Sequence, residues 1–268
     1  MPEGPEVRRI SIDLAKAISG KHLMKLEVLS GRYLKKEITG LAKLKSNLPD
    51  KITGVGVHGK FLYILLTGGT NIWSTLGMTG KWSREPSKYS RIQFSFNTGD
   101  DVYFDDIRNF GTVKCVYGPA ALCDRLNKLG PDMLAEDVSS DKFLECLRKK
   151  DAWNITKALM DQKVISGVGN YVKAESLWLA GINPLNTVSE ITDGDLMLLN
   201  SAIKDVMRSS YKSGGATFLT HKNFSGEKGD YSSRFLCYNR KIDAEGHKVI
   251  KTQTPDGRTT HWAPDKQK

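Results

Sequence analysis

Pro2 and Glu3, in the opening Met1-Pro2-Glu3-Gly4-Pro5-Glu6, are residue types that can act together on an electrophilic carbon. Removal of Met1 leaves Pro2 with a free secondary amine. Such an amine attacks an aldehyde-like carbon, and the iminium that forms is cationic without further protonation. An α-amino group has an ordinary pKa of about 8, so a useful fraction is neutral at physiological pH. Glu3 places a carboxyl group at the same point, suited to proton transfer. By itself this stretch reads more simply as a polar terminus, and only the motifs downstream reverse that preference.

Other candidates lie on turns rich in glycine. Lys60, in His58-Gly59-Lys60-Phe61, opens an apolar strand and alone would be a solvated strand-edge lysine. Leu76-Gly77-Met78-Thr79-Gly80 sets a methionine between two glycines. A core methionine is the common case, but flanking glycines argue for a tight, exposed loop with an apolar tip. Asp106-Ile107-Arg108-Asn109-Phe110-Gly111 puts a cation and an aromatic two residues apart, the bland reading being a salt bridge and a core ring. Gly167-Val168-Gly169-Asn170-Tyr171 lets backbone approach a ligand closely. Amides at a helix start favour a phosphate there, and Asn170 can add a donor. A bare G-x-G-N is weak, whereas the run from Leu159-Met160-Asp161-Gln162 to Gly181-Ile182-Asn183-Pro184 is specific. Lys149 and Lys150 suit phosphate contact or plain solvation. Thr254-Pro255-Asp256-Gly257-Arg258-Thr259-Thr260 puts a cation at or near a hairpin tip.

The patterning predicts a scaffold for these positions. Val7, Ile10, Leu14 and Ile18 recur at helical spacing with Gly20 at the stop, which predicts a helix over residues 5–19. Residues 21–117 read as short, partly alternating strands at 22–30, 51–66, 71–76, 91–97, 101–105 and 112–117, a β-sandwich or barrel-like layer. Residues 118–135 read as a linker with a helical turn or two at 120–129 and Gly130-Pro131 as punctuation. Helical segments follow at 142–149, 155–162, 170–180 and 193–211, then a polar loop at 216–230, then strand–turn–strand pieces over 234–262. The expected class is α+β, a β-rich half and a helical half joined near residue 130, with a cleft between them as the natural place for a large ligand.

The chain has 268 residues and a formal net charge of +10, with a pI of about 9.3. Apolar residues make up 39% and charged residues 26%, which fits a globular chain able to bury a core and excludes a disordered one. The positive balance points to a polyanionic partner once the cations flank a site. Cys115, Cys123, Cys146 and Cys237 form no C-x-x-C pair, so no cysteine zinc site is expected. Free thiols imply a reducing, intracellular compartment. The longest apolar stretch, residues 61–66, is too short to span a bilayer, and no secretory signal is visible.

Pro2-Glu3-Gly4-Pro5-Glu6, the Lys60 segment, the Met78 and Arg108 loops, the Gly167–Tyr171 element and Phe235–Lys241 (FLCYNRK) occur in one order over nearly the whole chain. Together they resemble the formamidopyrimidine-DNA glycosylase / endonuclease VIII family. The resemblance implies an N-terminal helix and β-sandwich domain (1–130), a helix–two-turn–helix DNA-binding domain with a lesion-capping loop (131–232) and a β-hairpin finger (233–268). It implies catalytic roles for Pro2, Glu3, Lys60 and Arg258. Met78, Arg108 and Phe110 would fill the gap left by a flipped base, Asn170, Tyr89 and Lys150 would touch DNA, and Glu6, Thr217 and Phe218 would recognise the lesion. Asn109 stands where the family commonly has a second arginine, which weakens one basic contact.

Bacterial members of that family end in a zinc finger with two C-x-x-C pairs, and here the last pair has become Trp262-Ala263-Pro264-Asp265-Lys266. The chain therefore resembles most the zincless-finger branch of eukaryotes and giant viruses. Its 213–230 loop instead resembles the lesion-capping loop of the purine-directed bacterial members. The implied activity is a bifunctional DNA glycosylase/AP lyase of base excision repair, with β- or β,δ-elimination. It needs no metal and no cofactor, and acts as a monomer in nucleus or cytoplasm. Its partner is double-stranded DNA carrying oxidised bases or abasic sites, and no membrane is involved. Three alternatives compete: a non-catalytic damaged-DNA-binding relative, a proline-dependent enzyme of small keto acids, and an RNA-associated helix–two-turn–helix protein.

Overall fold

The computed structural model describes residues 2–216, 224 and 229–268, which fall into two compact units. The first takes Pro2, Glu6–Asn127, Ala216, Phe224 and Gly229, and the second takes Glu3–Pro5, Lys128–Gly215 and Asp230–Lys268.

Helix α1 (Gly4–Ile18), which belongs to the first unit from Glu6 onward, buries Val7, Ile10, Leu14, Ala17 and Ile18 along one face. Gly20 ends the run at φ +83°, a left-handed stop that a Cβ would disfavour. Eight strands follow: β1 (His22–Val28), β2 (Asp50–His58), β3 (Phe61–Leu66), β4 (Thr70–Thr75), β5 (Gly80–Ser83), β6 (Ser90–Phe96), β7 (Asp101–Asp106) and β8 (Thr112–Tyr117). Their order is β5-β7-β6-β1-β2-β3-β4-β8, and every pairing is antiparallel. Strand β1 pairs with β6 from Leu23↔Phe96 to Val28↔Ile92, but with β2 only at His22↔Lys51 and Leu23↔Asp50. That short seam divides the strands into two layers sharing one core, which includes Leu23, Leu26, Ile52, Leu62, Ile64, Ile72, Trp82, Phe94 and Phe104. The expected β-sandwich is present.

Some local readings change. Residues 51–66 are not one strand. His58 pairs with Phe61, so Gly59-Lys60 is a two-residue hairpin turn with Gly59 at φ +56°. Strand β5 and helix α2 (Leu41–Ser46) were not expected. Each has four to six residues, too few for a period to register. Helix α3 (Pro119–Asn127) closes the unit's main segment.

The second unit is helical first. Helices α4 (Ser140–Arg148), α5 (Ile155–Met160) and α7 (Asp193–Lys212) each start on a polar side chain that caps a free amide. Ser139 Oγ accepts from Lys142 N at 3.2 Å, Asn154 Oδ1 from Thr156 N at 2.9 Å, and Thr192 Oγ1 from Asp195 N at 3.1 Å. Helix α6 (Asn170–Leu179) is buried along Tyr171–Trp178, charged residues included. The turn between α5 and α6 is pinned by Gln162, whose amide donates to Met160 O and Val168 O and accepts from Gly167 N. Strands β9 (Ile250–Gln253) and β10 (Thr259–Trp262) form the C-terminal antiparallel hairpin. Among the described residues no helix is long and apolar enough to cross a membrane.

Candidate active site

Helix α6 of the second unit has no side-chain cap of its own, since its N-cap residue is Gly169. The cap comes from far away in sequence. Glu3, 2% exposed, accepts from Tyr171 N through Oε1 at 2.9 Å and from Val172 N through Oε2 at 3.2 Å. A carboxylate here meets both the unsatisfied amides and the positive end of the helix dipole. Gly4 N also donates to Gly167 O at 2.9 Å. A Cβ on Gly169 would stand 2.1 Å from Glu3 Cδ, so the glycine is there to admit the carboxylate.

The next residues of the same helix hold the hairpin. Asn170 Nδ2 donates to Thr259 O at 3.1 Å and lies 3.5 Å from the Tyr238 hydroxyl. Lys173 Nζ donates to Asp256 Oδ2 at 2.6 Å, with side chains 0% and 1% exposed. Asp256 Oδ1 accepts from Thr254 Oγ1 at 2.6 Å and from Arg258 N at 3.3 Å. Gly257, at φ +74°, completes the turn, and Arg258 is left half-buried. Glu3, Asn170 and Arg258 are thus brought into one neighbourhood, in which Lys173 feels the charges of both Glu3 and Arg258. Burial pushes the Lys173 ammonium below the ordinary lysine range, against the raising effect of Asp256.

Behind the hairpin, carboxylates organise the chain. Burial pushes Glu175 up, but its oxygens accept from Leu236 N, Cys237 N and Tyr238 N at 2.6–2.9 Å. Asp243 is buried, which raises its pKa, yet Trp178 Nε1 and the backbone of His247 and Glu245, with the His247 ring, bring it down to about 2. Cys237 is buried and its thiol is pushed up to about 12. His261 packs edge-on against Tyr238 at 4.9 Å, and burial, then Lys251 and Lys173, lower its pKa. Among the described residues no group of three or more His, Cys, Asp and Glu side chains is arranged to hold a metal. Lys150 lies on the α4–α5 connection, its ammonium 4.6 Å from the Trp153 ring, with Lys157 at 4.3 Å from the same ring.

The first unit carries the remaining candidates. Pro2 is buried, and Lys60 is half-buried at the β2–β3 turn. Glu6, buried, accepts from Ala216 N at 2.8 Å. Met78, Arg108 and Phe110 form one cluster. Arg108 Nη1 is 3.2 Å from Met78 Sδ, and its guanidinium lies 4.7 Å from the centre of the Phe110 ring. Phe110 is 54% exposed, an aromatic on a tip rather than in a core. Their two loops fit because a Cβ on Gly77 would meet Gly111 N and Phe110 C at 2.8 Å. Asp106, buried, accepts from Thr79 Oγ1, Arg108 N and Gly111 N. Tyr89 is half-buried with the Lys88 ammonium 5.2 Å from its ring. Thr217 and Phe218 lie outside the described residues.

Sequence reasoning missed Lys173, Asp256, Glu175 and Asp243. A usable signal was present: lysine and glutamate two apart in Tyr171–Trp178, a stretch otherwise apolar or small. Charges in such a helix are expected to be paired.

Residues 1–113 match the formamidopyrimidine-DNA glycosylase N-terminal domain, and residues 129–222 match the formamidopyrimidine-DNA glycosylase H2TH domain. The chain is 32% identical to the formamidopyrimidine-DNA glycosylase of Parasynechococcus marenigrum over 276 residues, covering 98% of this chain and 99% of that protein. It is 31% identical to that of Listeria monocytogenes, with both chains covered in full (100%). Among solved structures, an FPG mutant of Lactococcus lactis in complex with a Fapy-dG containing DNA superposes with TM-score 0.88 at 27% identity, covering 100% of both chains. MutM (FPG) protein from Thermus thermophilus superposes with TM-score 0.87 at 27% identity, covering 99% of this chain and 98% of that one.

Proposed function

Because the chain belongs to the formamidopyrimidine-DNA glycosylase family, we propose that it is a bifunctional DNA glycosylase/AP lyase that uses Pro2 on oxidised bases in duplex DNA. The observation that carries this reading is Glu3, fixed on the amides of α6 beside Asn170 and the Arg258 turn. In this mechanism the damaged nucleotide is turned out of the stack. The Pro2 nitrogen lone pair attacks C1′ of the deoxyribose, and the base departs with the electrons of its glycosidic bond and takes up a proton. Glu3 moves protons at the sugar. The Pro2 nitrogen then gives up its own proton, and the C1′–O4′ bond breaks with its electrons on O4′, which takes up a proton. The iminium so formed acidifies the C2′–H bond. Loss of that proton expels the 3′ phosphate, and a second elimination can expel the 5′ phosphate. Lys60 and Arg258 hold phosphates, and Asn170, Tyr89 and Lys150 add contacts. Met78, Arg108 and Phe110 fill the vacated stack, the cation facing the orphaned base. Glu6 works with Thr217 and Phe218 on the lesion.

The functional parts proposed are 1–130, 131–232 and 233–268, acting as an intracellular monomer. The last part is read as a zincless finger, in which Glu175 and Asp243 hold by hydrogen bonds the segments that thiolates would hold through a metal. Relatives in complex with 8-oxo-G containing DNA and with AP site containing DNA support the choice of substrates. The runner-up is a non-catalytic relative that binds damaged DNA, and the burial of Pro2 is what favours it. Borohydride trapping on abasic duplex separates the two. A covalent adduct, with nicking across a panel of oxidised bases, supports the enzyme, and binding without adduct supports the runner-up.

A further inference from the structure

We propose that the buried Lys173–Asp256 ion pair is the positioning device that aims Arg258, an inference that rests on the phosphate-gripping role given to Arg258 above. The pair joins the middle of one buried helix to the tip of the hairpin, with Nζ 2.6 Å from Oδ2 and both side chains sealed from solvent. Asp256 has no freedom left. Its second oxygen takes the Thr254 hydroxyl and the Arg258 amide, so the carboxylate that meets Lys173 also sets the peptide on which Arg258 stands. On the other side of Arg258, Thr259 O is taken by Asn170. The arginine is therefore tied to α6 at the residue after it and two residues before it. The same helix, between Asn170 and Lys173, carries Glu3 on Tyr171 N and Val172 N.

Stability alone is a poor reason for this pair. Desolvating two charges consumes most of what their attraction returns, and an apolar pair of similar volume often does as well. The lowered pKa of Lys173, whose largest cause is burial, agrees with a pair that gains little. What a short ion pair adds over an apolar contact is a fixed register. Register matters here because a misplacement of about 1 Å at a reacting centre can cost on the order of 100-fold in rate.

The test uses the full chain with Lys173→Met, Asp256→Asn and Lys173→Arg, each made alone and in an Arg258→Ala background. Trapping rate on abasic duplex, kcat and KM for nicking, the salt slope of binding and thermal melting are read for each. Lys173→Met and Asp256→Asn should lower kcat about 10- to 100-fold in the parent, and less than about twofold when Arg258 is already gone. Lys173→Arg should recover most of the loss. Equal losses in both backgrounds, or none in the parent, would overturn the proposal. If Lys173→Met does not fold, Asp256→Asn, which keeps the side-chain shape, carries the test. If the parent gives no adduct, the proposed enzyme fails and the pair is judged by binding alone. Asp256→Asn must then lower the salt slope as Arg258→Ala does, and an unchanged slope sinks it.

Discussion

Gly169 has no side chain because Glu3 occupies the space that one would fill. Gly169→Ala should expel the carboxylate from the start of α6. The expected outcome is destabilisation of about 1–3 kcal/mol from overpacking, together with a slower borohydride-trapped reaction. Thermal melting and trapping on the same sample check both, and a normal trapping rate would separate Glu3 placement from chemistry. Pro2 is a different kind of residue, dispensable for the fold as proposed and required for the bond. Pro2→Gly should abolish or severely slow the trapped adduct while duplex binding survives. Near-normal trapping by that variant would remove Pro2 from its role.

At the scale of elements, the paired loops of the first unit and the finger of the second make separate predictions. Asp106 gathers Thr79, Arg108 and Gly111, and so turns two glycine loops into one platform for Met78 and Phe110. Phe110→Ala should slow excision from duplex by roughly tenfold if its wedge offsets about 1–2 kcal/mol of an unstacking cost of a few kcal/mol. It should matter less on a single-stranded abasic substrate, where no orphaned base needs restraint. Equal losses on both would argue against the wedge. In the finger, Asp243 titrates at about 2 in the folded chain and near ~3.9 when unfolded. A depressed carboxyl contributes stability that is fully present above its unfolded pKa and is lost as pH falls through the folded one. Fluorescence of Trp178, whose Nε1 donates to Asp243, should hold down to about pH 4 and change toward pH 2. Asp243→Asn should remove that acid step and loosen the finger already at neutral pH. An unaltered acid profile in the variant would remove Asp243 as its cause.

At the scale of the whole chain, a net charge of +10 makes binding to a polyanion steep in salt. Each phosphate contact contributes a log–log slope of about −0.9. Arg258→Ala should therefore flatten the dependence by about one contact, and an unchanged slope would take Arg258 off the backbone. If the finger is zincless, prolonged chelation should leave melting and nicking as they were. A chelator-induced drop in either would mean that a metal holds the C-terminal segment after all.

Much of this was legible in order of residues. The period of α1, the alternation of most strands, the glycine stops and the family motifs are local signals, and local signals survive in a linear chain. Turn Gly59-Lys60, strand β5 and helix α2 were not legible, because a few residues carry no period. The placement of the chemistry belongs to the tertiary structure. Glu3 caps a helix whose N-cap residue, Gly169, lies 166 residues downstream of it. Lys173 finds its counter-ion at Asp256, and Glu175 finds the amides of Leu236–Tyr238. A sequence shows that such charges exist, but a buried charge takes its meaning from the partner it meets, and only folding decides which partner that is.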